Sequence, residues 1–285
     1  MWGEKIGSGS MAIIYAKDRV VSKQYENLEE ELPSISFKEE VESLKRLVGC
    51  PWVVQYVSHD NLSGTIRMEQ LAGDVKSLMR LEYKYPRENW AWQFTVDLLR
   101  AEDAMFKAKV LHGDLNFNNI LYYVKEDKSL GFKVCDFSHC SLISESISHT
   151  HPYPFFGGPE WLRFRSVCYD LEKVAIWTIG ILIYYLHTDN LLVSVMWKSS
   201  KYFDSDAKFM TSKYNTLLGN FIQDIDQFRQ VDIVNLITDM KELLPVEQHE
   251  LIQELLLFIL VIDLDKRYTP AQALKLLGVH EENQD

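Results

Sequence analysis

The sequence predicts an α+β fold in which a strand-rich first quarter precedes a longer helical part. Short runs rich in β-branched residues, bounded by turn residues, dominate residues 1–71 and favour strands. Later stretches carry apolar residues at helical spacing or are apolar on most sides, which favours buried helices. We therefore expect a β-rich lobe, residues 1–71, and a helical lobe, residues 72–285, which together form one domain.

The strand-rich lobe is expected to contain a hairpin, a helix and two further strands. Four strands are expected in it: residues 13–16, 19–23, 52–57 and 65–71. The first two flank a turn at Lys17-Asp18. A helix is expected to start near Ser36, after an acidic loop at residues 26–31. Its apolar residues recur every three or four positions: Phe37, Val41, Leu44 and Leu47.

The remaining lobe is expected to be mostly helical. Three long helices are expected: residues 88–108, 171–186 and 251–262. The first is amphipathic, and the other two are apolar on most sides, so they should lie at the centre of this lobe. Two short strands, residues 120–124 and 132–134, should flank a turn at Glu126-Asp127.

The composition is that of a globular protein with an excess of acidic residues. In 285 residues, 47% are hydrophobic and 25% are charged, which excludes a disordered or collagen-like chain. Thirty basic and 41 acidic residues give a net charge of −11. This charge disfavours direct nucleic-acid binding and favours basic partners.

We expect an intracellular protein without a membrane partner. No apolar segment of a signal peptide follows Met1, and the longest apolar runs are too short to span a bilayer. The four cysteines show no paired CxxC spacing: Cys50, Cys135, Cys140 and Cys168. This spacing favours free thiols in a reducing compartment and disfavours a zinc site.

A glycine-rich run near the start of the chain has two interpretations. Residues 7–14, GSGSMAII, contain glycines that would let backbone N–H groups approach phosphates closely, and the same run is typical of a structural hairpin turn. Lys23, in the following strand, is either a solvated lysine or the partner of Glu40 on the next helix. A lysine held by such an ion pair is used in phosphoryl transfer to position phosphates.

Two further motifs carry side chains suited to chemistry on a phosphorylated substrate. Residues 112–121, HGDLNFNNIL, place Asp114 and Asn119 five positions apart, between a predicted helix and a predicted strand. An aspartate can accept a proton from a hydroxyl, and an asparagine oxygen suits Mg²⁺. Asp136 ends a predicted strand within VCDFS. The alternatives are an Asx-rich turn for the first motif and a capping carboxylate for the second.

The order of these motifs resembles that of the eukaryotic-type Ser/Thr protein kinase family over nearly the whole chain. A glycine loop, a strand lysine, a helix glutamate, His-x-Asp-x-x-x-x-Asn, Asp-Phe-Ser, Gly-Pro-Glu and a late arginine follow one another as in that family. The resemblance implies a bilobal protein-kinase-like fold. It also implies transfer of the γ-phosphate of ATP to Ser or Thr hydroxyls with the help of Mg²⁺.

The resemblance assigns a role to each matching residue. Asp114 matches the catalytic base, Lys23 the lysine that grips the α- and β-phosphates, and Glu40, rather than Glu39 or Glu42, its helix partner. Asn119 and Asp136 match the metal ligands. Glu160 and Arg267 resemble a structural ion pair, Asp170 a central-helix aspartate, Met68 the gatekeeper and residues 69–71 the adenine-binding hinge. The implied nucleotide-binding residues are Gly7, Ser8, Gly9, Ser10, Ala12, Ile14, Val21, Lys23, Met68, Glu69, Leu71 and Leu121.

Several positions depart from the family pattern. Gly113 replaces the arginine that receives an activation-loop phosphate, and residues 136–160 contain no Lys or Arg, so activity should not need phosphorylation of that segment. Asn116 replaces the lysine that neutralises the γ-phosphate, and Ser138 replaces a glycine.

Lys23 is expected to contact ATP rather than the core, so its replacement should barely change stability.

Two alternatives and one sub-family resemblance complete the sequence-based picture. Gly113, Asn116 and Ser138 also suit a pseudokinase that acts as a binding scaffold, and HGDLNFNN is similar to the motif of aminoglycoside and choline kinases. The compact chain and atypical motifs resemble the small kinases of DNA viruses such as baculoviruses. That resemblance implies a basic, arginine-rich DNA-packaging protein as substrate and a location in the cytoplasm or nucleus of a host cell. The sequence leaves the oligomeric state open.

Overall fold

The computed structural model describes residues 3–143, 171–190, 192 and 230–279. The chain forms two compact units, Met1–Pro152 and Tyr153–Asp285. The sequence-based boundary after residue 71 lies inside the first unit and stays a prediction. The expected fold class is confirmed: the N-terminal part is built on a β-sheet and the C-terminal part is helical.

A five-stranded antiparallel sheet opens the first unit, with the strand order β1-β2-β3-β5-β4. Its strands are β1 Glu4–Ser8, β2 Ala12–Lys17, β3 Val20–Tyr25, β4 Tyr56–Asp60 and β5 Thr65–Glu69. The turn between β2 and β3 consists of Asp18 and Arg19, whose φ angles of 53° and 65° are both positive. Two consecutive left-handed residues match the twist of a hairpin, which places the turn one residue later than predicted.

Helix α1, Glu31–Arg46, starts five residues before the predicted start at Ser36. Leu32 and Ile35 in its first turns are 73% and 43% exposed, so the apolar stripe on which the prediction depended begins only at Phe37. Glu40 lies on the buried face of α1 together with apolar side chains. A carboxylate on such a face needs partners, since an unpaired buried charge is costly.

The predicted strand at residues 52–57 is wrong over most of its length. Val53 and Val54 are buried but form no regular strand; Val53 makes an isolated parallel bridge to Val134. The amide of Val54 donates to the carbonyl of Val134 at 2.9 Å, and the amide of Val134 donates to the carbonyl of Trp52 at 2.9 Å. These bonds fix the connection after α1 to the strand that leads to Asp136.

Two smaller sheets and two further α-helices follow in the described part of the first unit. Strands β6 Gly73–Asp74, β8 Ile120–Val124 and β9 Leu130–Val134 form one sheet in the order β6-β8-β9, and β7 Val110–Leu111 pairs with β10 Ser141–Leu142. Helix α2 spans Val75–Leu78. Helix α3, Ala91–Lys107, follows a 3-10 turn at Arg87–Asn89 and accounts for the predicted helix at 88–108. It packs on β9 through an aromatic cluster: Trp90, Phe94 and Phe132.

The described part of the second unit is helical. Its helices are α4 Leu171–Thr188, α5 Gln230–Thr238, α6 Val246–Ile259 and α7 Pro270–Leu276, with a 3-10 turn at Leu264–Lys266. Helices α4 and α6 confirm the two apolar helices expected from the sequence. Gly180 lets α4 approach the end of α6, because a Cβ there would lie 2.7 Å from a methyl carbon of Leu260. In the part of the chain described, no helix has the length and apolarity needed to cross a membrane.

Candidate active site

Three predicted site residues meet in a buried ion-pair cluster within the first unit. The Lys23 Nζ atom on β3 lies 3.0 and 2.8 Å from the two carboxylate oxygens of Glu40 on α1. It also lies 2.6 Å from Oδ1 of Asp136, just after β9. Lys23 is 5% exposed and Glu40 is fully buried. Strand β3, helix α1 and the segment after β9 thus each supply one charged group, and both carboxylates contact the ammonium of Lys23.

The pKa values of Lys23 and Asp136 are shifted in opposite directions by their contact with each other. Burial by itself would lower the pKa of Lys23, but Glu40 and Asp136 outweigh it and raise the pKa of this ammonium above its ordinary value. Burial by itself would raise the pKa of Asp136, but Lys23 and the hydroxyl of Ser138 hold the pKa of this carboxyl below its ordinary value. One ammonium and two carboxylates leave a net negative charge, which suits a further cation.

The burial of Lys23 overturns one sequence-based expectation. We expected its side chain to contact nucleotide rather than the core, so that its replacement would barely change stability. Its ammonium is buried against the carboxylate of Glu40, so the expectation that Lys23 avoids the core is wrong, and its contact with nucleotide stays a prediction. Because removal of one partner leaves the other charge buried and unpaired, the replacement should be costly.

Glu40 has two further donors besides Lys23. The backbone amide of Phe137 donates to Oε1 at 3.1 Å, and the hydroxyl of Tyr25 donates to Oε2 at 2.5 Å. Sequence reasoning missed Tyr25. Its spacing carried a signal, because a residue two positions after Lys23 in a strand lies on the same face as Lys23.

Asp114 and Asn119, the predicted base and the predicted metal ligand of the catalytic loop (residues 112–119), are joined directly. The side-chain amide of Asn119 donates to the carbonyl of Asp114 at 2.8 Å and to its carboxylate Oδ2 at 3.0 Å. Both bonds use the nitrogen of Asn119, which leaves its oxygen as the atom suited to a metal ion. The Asn119 contact therefore fixes the carboxylate expected to act as base.

His112 ties this loop to the residue before Asp136. Its Nδ1 accepts from the amide of Asp114 at 3.3 Å, so Nε2 carries the proton and donates to the carbonyl of Cys135 at 2.9 Å. Burial lowers the pKa of His112 and keeps the imidazole neutral. The predicted base and the predicted metal-binding carboxylate are thereby connected through one buried side chain.

Asp136 has a backbone conformation that is unusual for a non-glycine residue, with a φ of 63°. Its Oδ1 accepts from the Ser138 hydroxyl at 2.7 Å and from the Ser138 amide at 3.3 Å. Ser138 itself is not among the described residues with positive φ, so serine fits where the family has glycine. Asp136 and Asn119 offer carboxylate and amide oxygens, the ligands that Mg²⁺ prefers, and these residues fit such an ion.

Gly113 occupies a position that no other residue fits without movement. Its φ is +79°, and a Cβ there would lie 2.2 Å from the carbonyl oxygen of His139. The catalytic loop and the segment after Asp136 therefore approach each other backbone to backbone. An arginine, which the family has here, would displace this segment.

Comparison with known proteins identifies the family. The protein kinase domain matches residues 2–276. The chain belongs to the protein kinase family. Serine/threonine-protein kinase DCLK3 of Mus musculus is 24% identical over 197 residues, which cover 65% of this chain and 24% of that protein. Rho-associated protein kinase 1 of Oryctolagus cuniculus is 29% identical over 142 residues, 47% of this chain and 10% of that protein.

A third relative, homeodomain-interacting protein kinase 4 of Mus musculus, is 31% identical over 96 residues. These cover 33% of this chain and 15% of that protein. The chain thus spans about a quarter or less of the length of each of these three relatives.

The residues assigned to nucleotide binding by this kinase's motifs lie on or beside two of the sheets of the first unit, the five-stranded sheet and the sheet β6-β8-β9. In the glycine loop, the Gly9 amide donates to the carbonyl of Ala12 at 2.8 Å and closes the turn. Across the sheet, Val21 is paired with the buried Met68. The remaining assigned residues lie on strands β1, β2 and β8 or close to the end of a strand: Gly7, Ser8, Ser10, Ile14, Leu71 and Leu121.

One carboxylate oxygen of Glu69 is already bound within the protein. Its Oε1 accepts from the Lys133 ammonium at 2.6 Å and from the Gln55 amide at 2.8 Å. The predicted contact of this hinge residue with adenine stays a prediction.

Part of the kinase's predicted apparatus lies outside the described residues: Glu160, Asp170 and the activation segment beyond residue 143. Arg267 is buried, donates to the carbonyls of Val261 at 2.9 Å and Lys173 at 2.8 Å, and lies 4.7 Å from the ring centroid of Trp177. Its predicted ion pair with Glu160 stays a prediction.

The cysteines of the first unit are free thiols: Cys50, Cys135 and Cys140. Burial raises the pKa of the Cys140 thiol to about 12, which keeps it protonated beside the hydroxyl of Ser43 at 3.1 Å. Cys168 lies outside the described residues. Within the described ranges, no three His, Cys, Asp or Glu side chains form a group that could hold a metal ion.

Proposed function

We propose that this kinase is an active Ser/Thr protein kinase that transfers the γ-phosphate of ATP to a hydroxyl of a basic protein substrate. The observation that carries the proposal is the charged cluster of Lys23, Glu40 and Asp136, in which the groups for phosphate and for metal are already assembled. The relative named serine/threonine-protein kinase DCLK3 supports the choice of hydroxyl. Use of ATP and Mg²⁺ is general in the family.

Each residue contributes positioning or electrostatic stabilisation rather than covalent chemistry. Lys23, held by Glu40, binds the α- and β-phosphates. Asp136 and the oxygen of Asn119 would hold Mg²⁺, which would neutralise phosphate charge. Asp114, oriented by the Asn119 amide at 3.0 Å, aligns the substrate hydroxyl and takes its proton.

The catalytic loop supplies no cation for the γ-phosphate. Asn116 stands where the family has lysine, and its amide nitrogen donates to the carbonyl of Asp114 at 3.0 Å. Its oxygen accepts from the backbone and side-chain amides of Asn118 at 2.9 and 2.8 Å. Both polar atoms of Asn116 are thus used within the loop, which disfavours the alternative that Asn116 itself binds the phosphate.

A basic substrate would supply the missing charge. The chain carries −11, and residues 136–160 contain no Lys or Arg, so a substrate with Arg beside its target hydroxyl is both attracted and able to neutralise the γ-phosphate. One added cation in related phosphoryl-transfer enzymes raises the rate by about 10³–10⁵. We therefore infer that substrate charge affects turnover as well as affinity.

The test is transfer of labelled γ-phosphate to matched peptides with and without Arg beside the target serine. Wild-type kinase should turn over the Arg-containing peptide faster at saturation, and Asp114→Asn should abolish transfer. Asn116→Lys should shrink the turnover difference between the peptides, whereas Asn116→Ala, which removes the same loop bonds without adding charge, should not. Equal turnover of both peptides by the wild type would refute substrate assistance and leave only electrostatic attraction.

The same assay separates an active kinase from a binding scaffold. The scaffold alternative depends on Gly113, Asn116 and Ser138, and each of these is accommodated by local contacts while the phosphate- and metal-binding groups are present. Binding of ATP and Mg²⁺ with no transfer to any basic protein or peptide would favour the scaffold.

A further inference from the structure

Tyr25, which belongs to none of the sequence motifs, contacts both members of the central ion pair. Its hydroxyl lies 2.5 Å from Oε2 of Glu40, and its ring centroid lies 5.2 Å from the ammonium of Lys23. Tyr25 is 3% exposed. Burial, with Glu40 adding to it, raises the pKa of Tyr25 far above its ordinary value, so the phenol stays a proton donor.

The position of Tyr25 follows from the strand and from the helix packed on it. Tyr25 lies two residues after Lys23 on β3, so both side chains project from the same face of the sheet. Its ring packs edge-on against Phe37 of α1, with centroids 5.6 Å apart and an interplanar angle of 76°. Phe37 lies three residues before Glu40, about one helical turn away.

Tyr25 differs from Lys23, the other side-chain donor to Glu40, because its hydroxyl does not also bind a second acceptor. The ammonium of Lys23 is shared between Glu40 and Asp136, and under the proposed function it also binds phosphates. The phenol of Tyr25 is neutral and donates its single proton to Glu40 alone. It can keep Glu40 oriented while Lys23 redistributes its hydrogen bonds toward the nucleotide.

We propose that Tyr25 is a positioning residue for phosphoryl transfer, which acts on Lys23 through Glu40 and does not itself touch the nucleotide. This inference rests on the proposed function for its turnover readout. It adds to the lysine and glutamate pair a hydroxyl that fixes the second oxygen of the carboxylate.

The direct test is Tyr25→Phe, which keeps the ring contact with Phe37 and removes only the hydroxyl. We expect kcat to fall about 10- to 100-fold, the range for loss of a hydrogen bond to a charged group, with little change in KM for the peptide. Tyr56→Phe is the matched control, because the Tyr56 hydroxyl makes a bond of the same 2.5 Å length to Nδ1 of His59. It should leave kcat unchanged.

A double-mutant cycle distinguishes positioning from a structural role. If Tyr25 acts through Glu40, Tyr25→Phe should lower kcat less than about twofold in a Glu40→Gln background. An unchanged kcat in the single variant, a full additive loss in the double variant, or a Tyr25→Phe protein that is unfolded by circular dichroism would each overturn the inference.

The affinity for a fluorescent ATP analogue is measured in parallel, so that failure of the proposed function can be distinguished from failure of the proposed role of Tyr25. A wild type that binds the analogue but never transfers phosphate refutes the proposed function alone. In that case the role of Tyr25 is judged by the affinity for the ATP analogue. The role is supported if Tyr25→Phe binds the analogue more weakly than Tyr56→Phe does, and if this difference disappears in the Glu40→Gln background. Equal binding by the two tyrosine variants overturns it.

Discussion

Replacement of Lys23 by methionine is expected to destabilise the first unit as well as abolish phosphoryl transfer. Methionine preserves the length and apolar stem of the side chain but leaves the fully buried carboxylate of Glu40 without its cation. Loss of one partner from a buried ion pair costs about 3–5 kcal/mol. Tyr25 and the Phe137 amide still donate to Glu40, so we expect a value near the lower end of that range, about 3 kcal/mol.

The assay is urea unfolding of wild type, Lys23→Met and the double variant Lys23→Met/Glu40→Met, with labelled-phosphate transfer measured on the same samples. The double variant removes both charges and should recover most of the lost stability, because a buried pair can be exchanged for apolar residues at little cost. It should remain inactive. A single variant within about 1 kcal/mol of wild type would show that Lys23 is not the charge partner of Glu40 in solution.

Three further outcomes are expected. Gly113→Ala should lose activity, and thermal unfolding should show a larger loss of stability than for Gly49→Ala. Both glycines have positive φ, but only a Cβ at Gly113 would overlap the carbonyl of His139. Arg267→Ala should lower the free energy of unfolding by about 3 kcal/mol or more, since a buried guanidinium that donates to two carbonyls and stacks on Trp177 is lost; an unchanged melting temperature would contradict this. Phosphatase-treated protein made in bacteria should keep full activity, and a large loss on treatment would contradict phosphorylation independence.

The members of the central cluster were predictable because the resemblance to the kinase family fixes their residue types and their order along the chain. The resemblance matched Lys23, Glu40 and Asp136 to separate motifs and paired Lys23 with Glu40. Glu40 was chosen over its neighbours because the leucines that follow it then fall at the family's spacing, and it lies on the buried face of α1. The contact between Lys23 and Asp136 was not predicted, because it depends on how β3 packs against the segment after β9.

The failures have physical causes in particular residues. Val53 and Val54 favour a strand by type, yet tertiary contacts with Val134 hold them outside any regular strand. The start of α1 was predicted five residues too late because Leu32 and Ile35, the exposed apolar residues of its first turns, do not belong to the apolar stripe that begins at Phe37. Tyr25 was missed because a tyrosine in a strand ordinarily packs in a core, and only the position of α1 shows that its hydroxyl meets a carboxylate.

The distance of Glu40 from the C-terminal end of α1 makes the position of its carboxylate sensitive to small tilts of the helix. After Leu47 the chain is tied by Val54 to β9, whereas Leu32 and Ile35 at the other end face solvent. Glu40 is seven residues from Leu47, about 10 Å along the helix axis. A tilt of about 15° about the tied end would move the Glu40 backbone by roughly 2.5 Å, comparable with the length of its bonds to Lys23. A tilt of that size would separate Glu40 from Lys23 while the backbone hydrogen bonds within α1 stay intact.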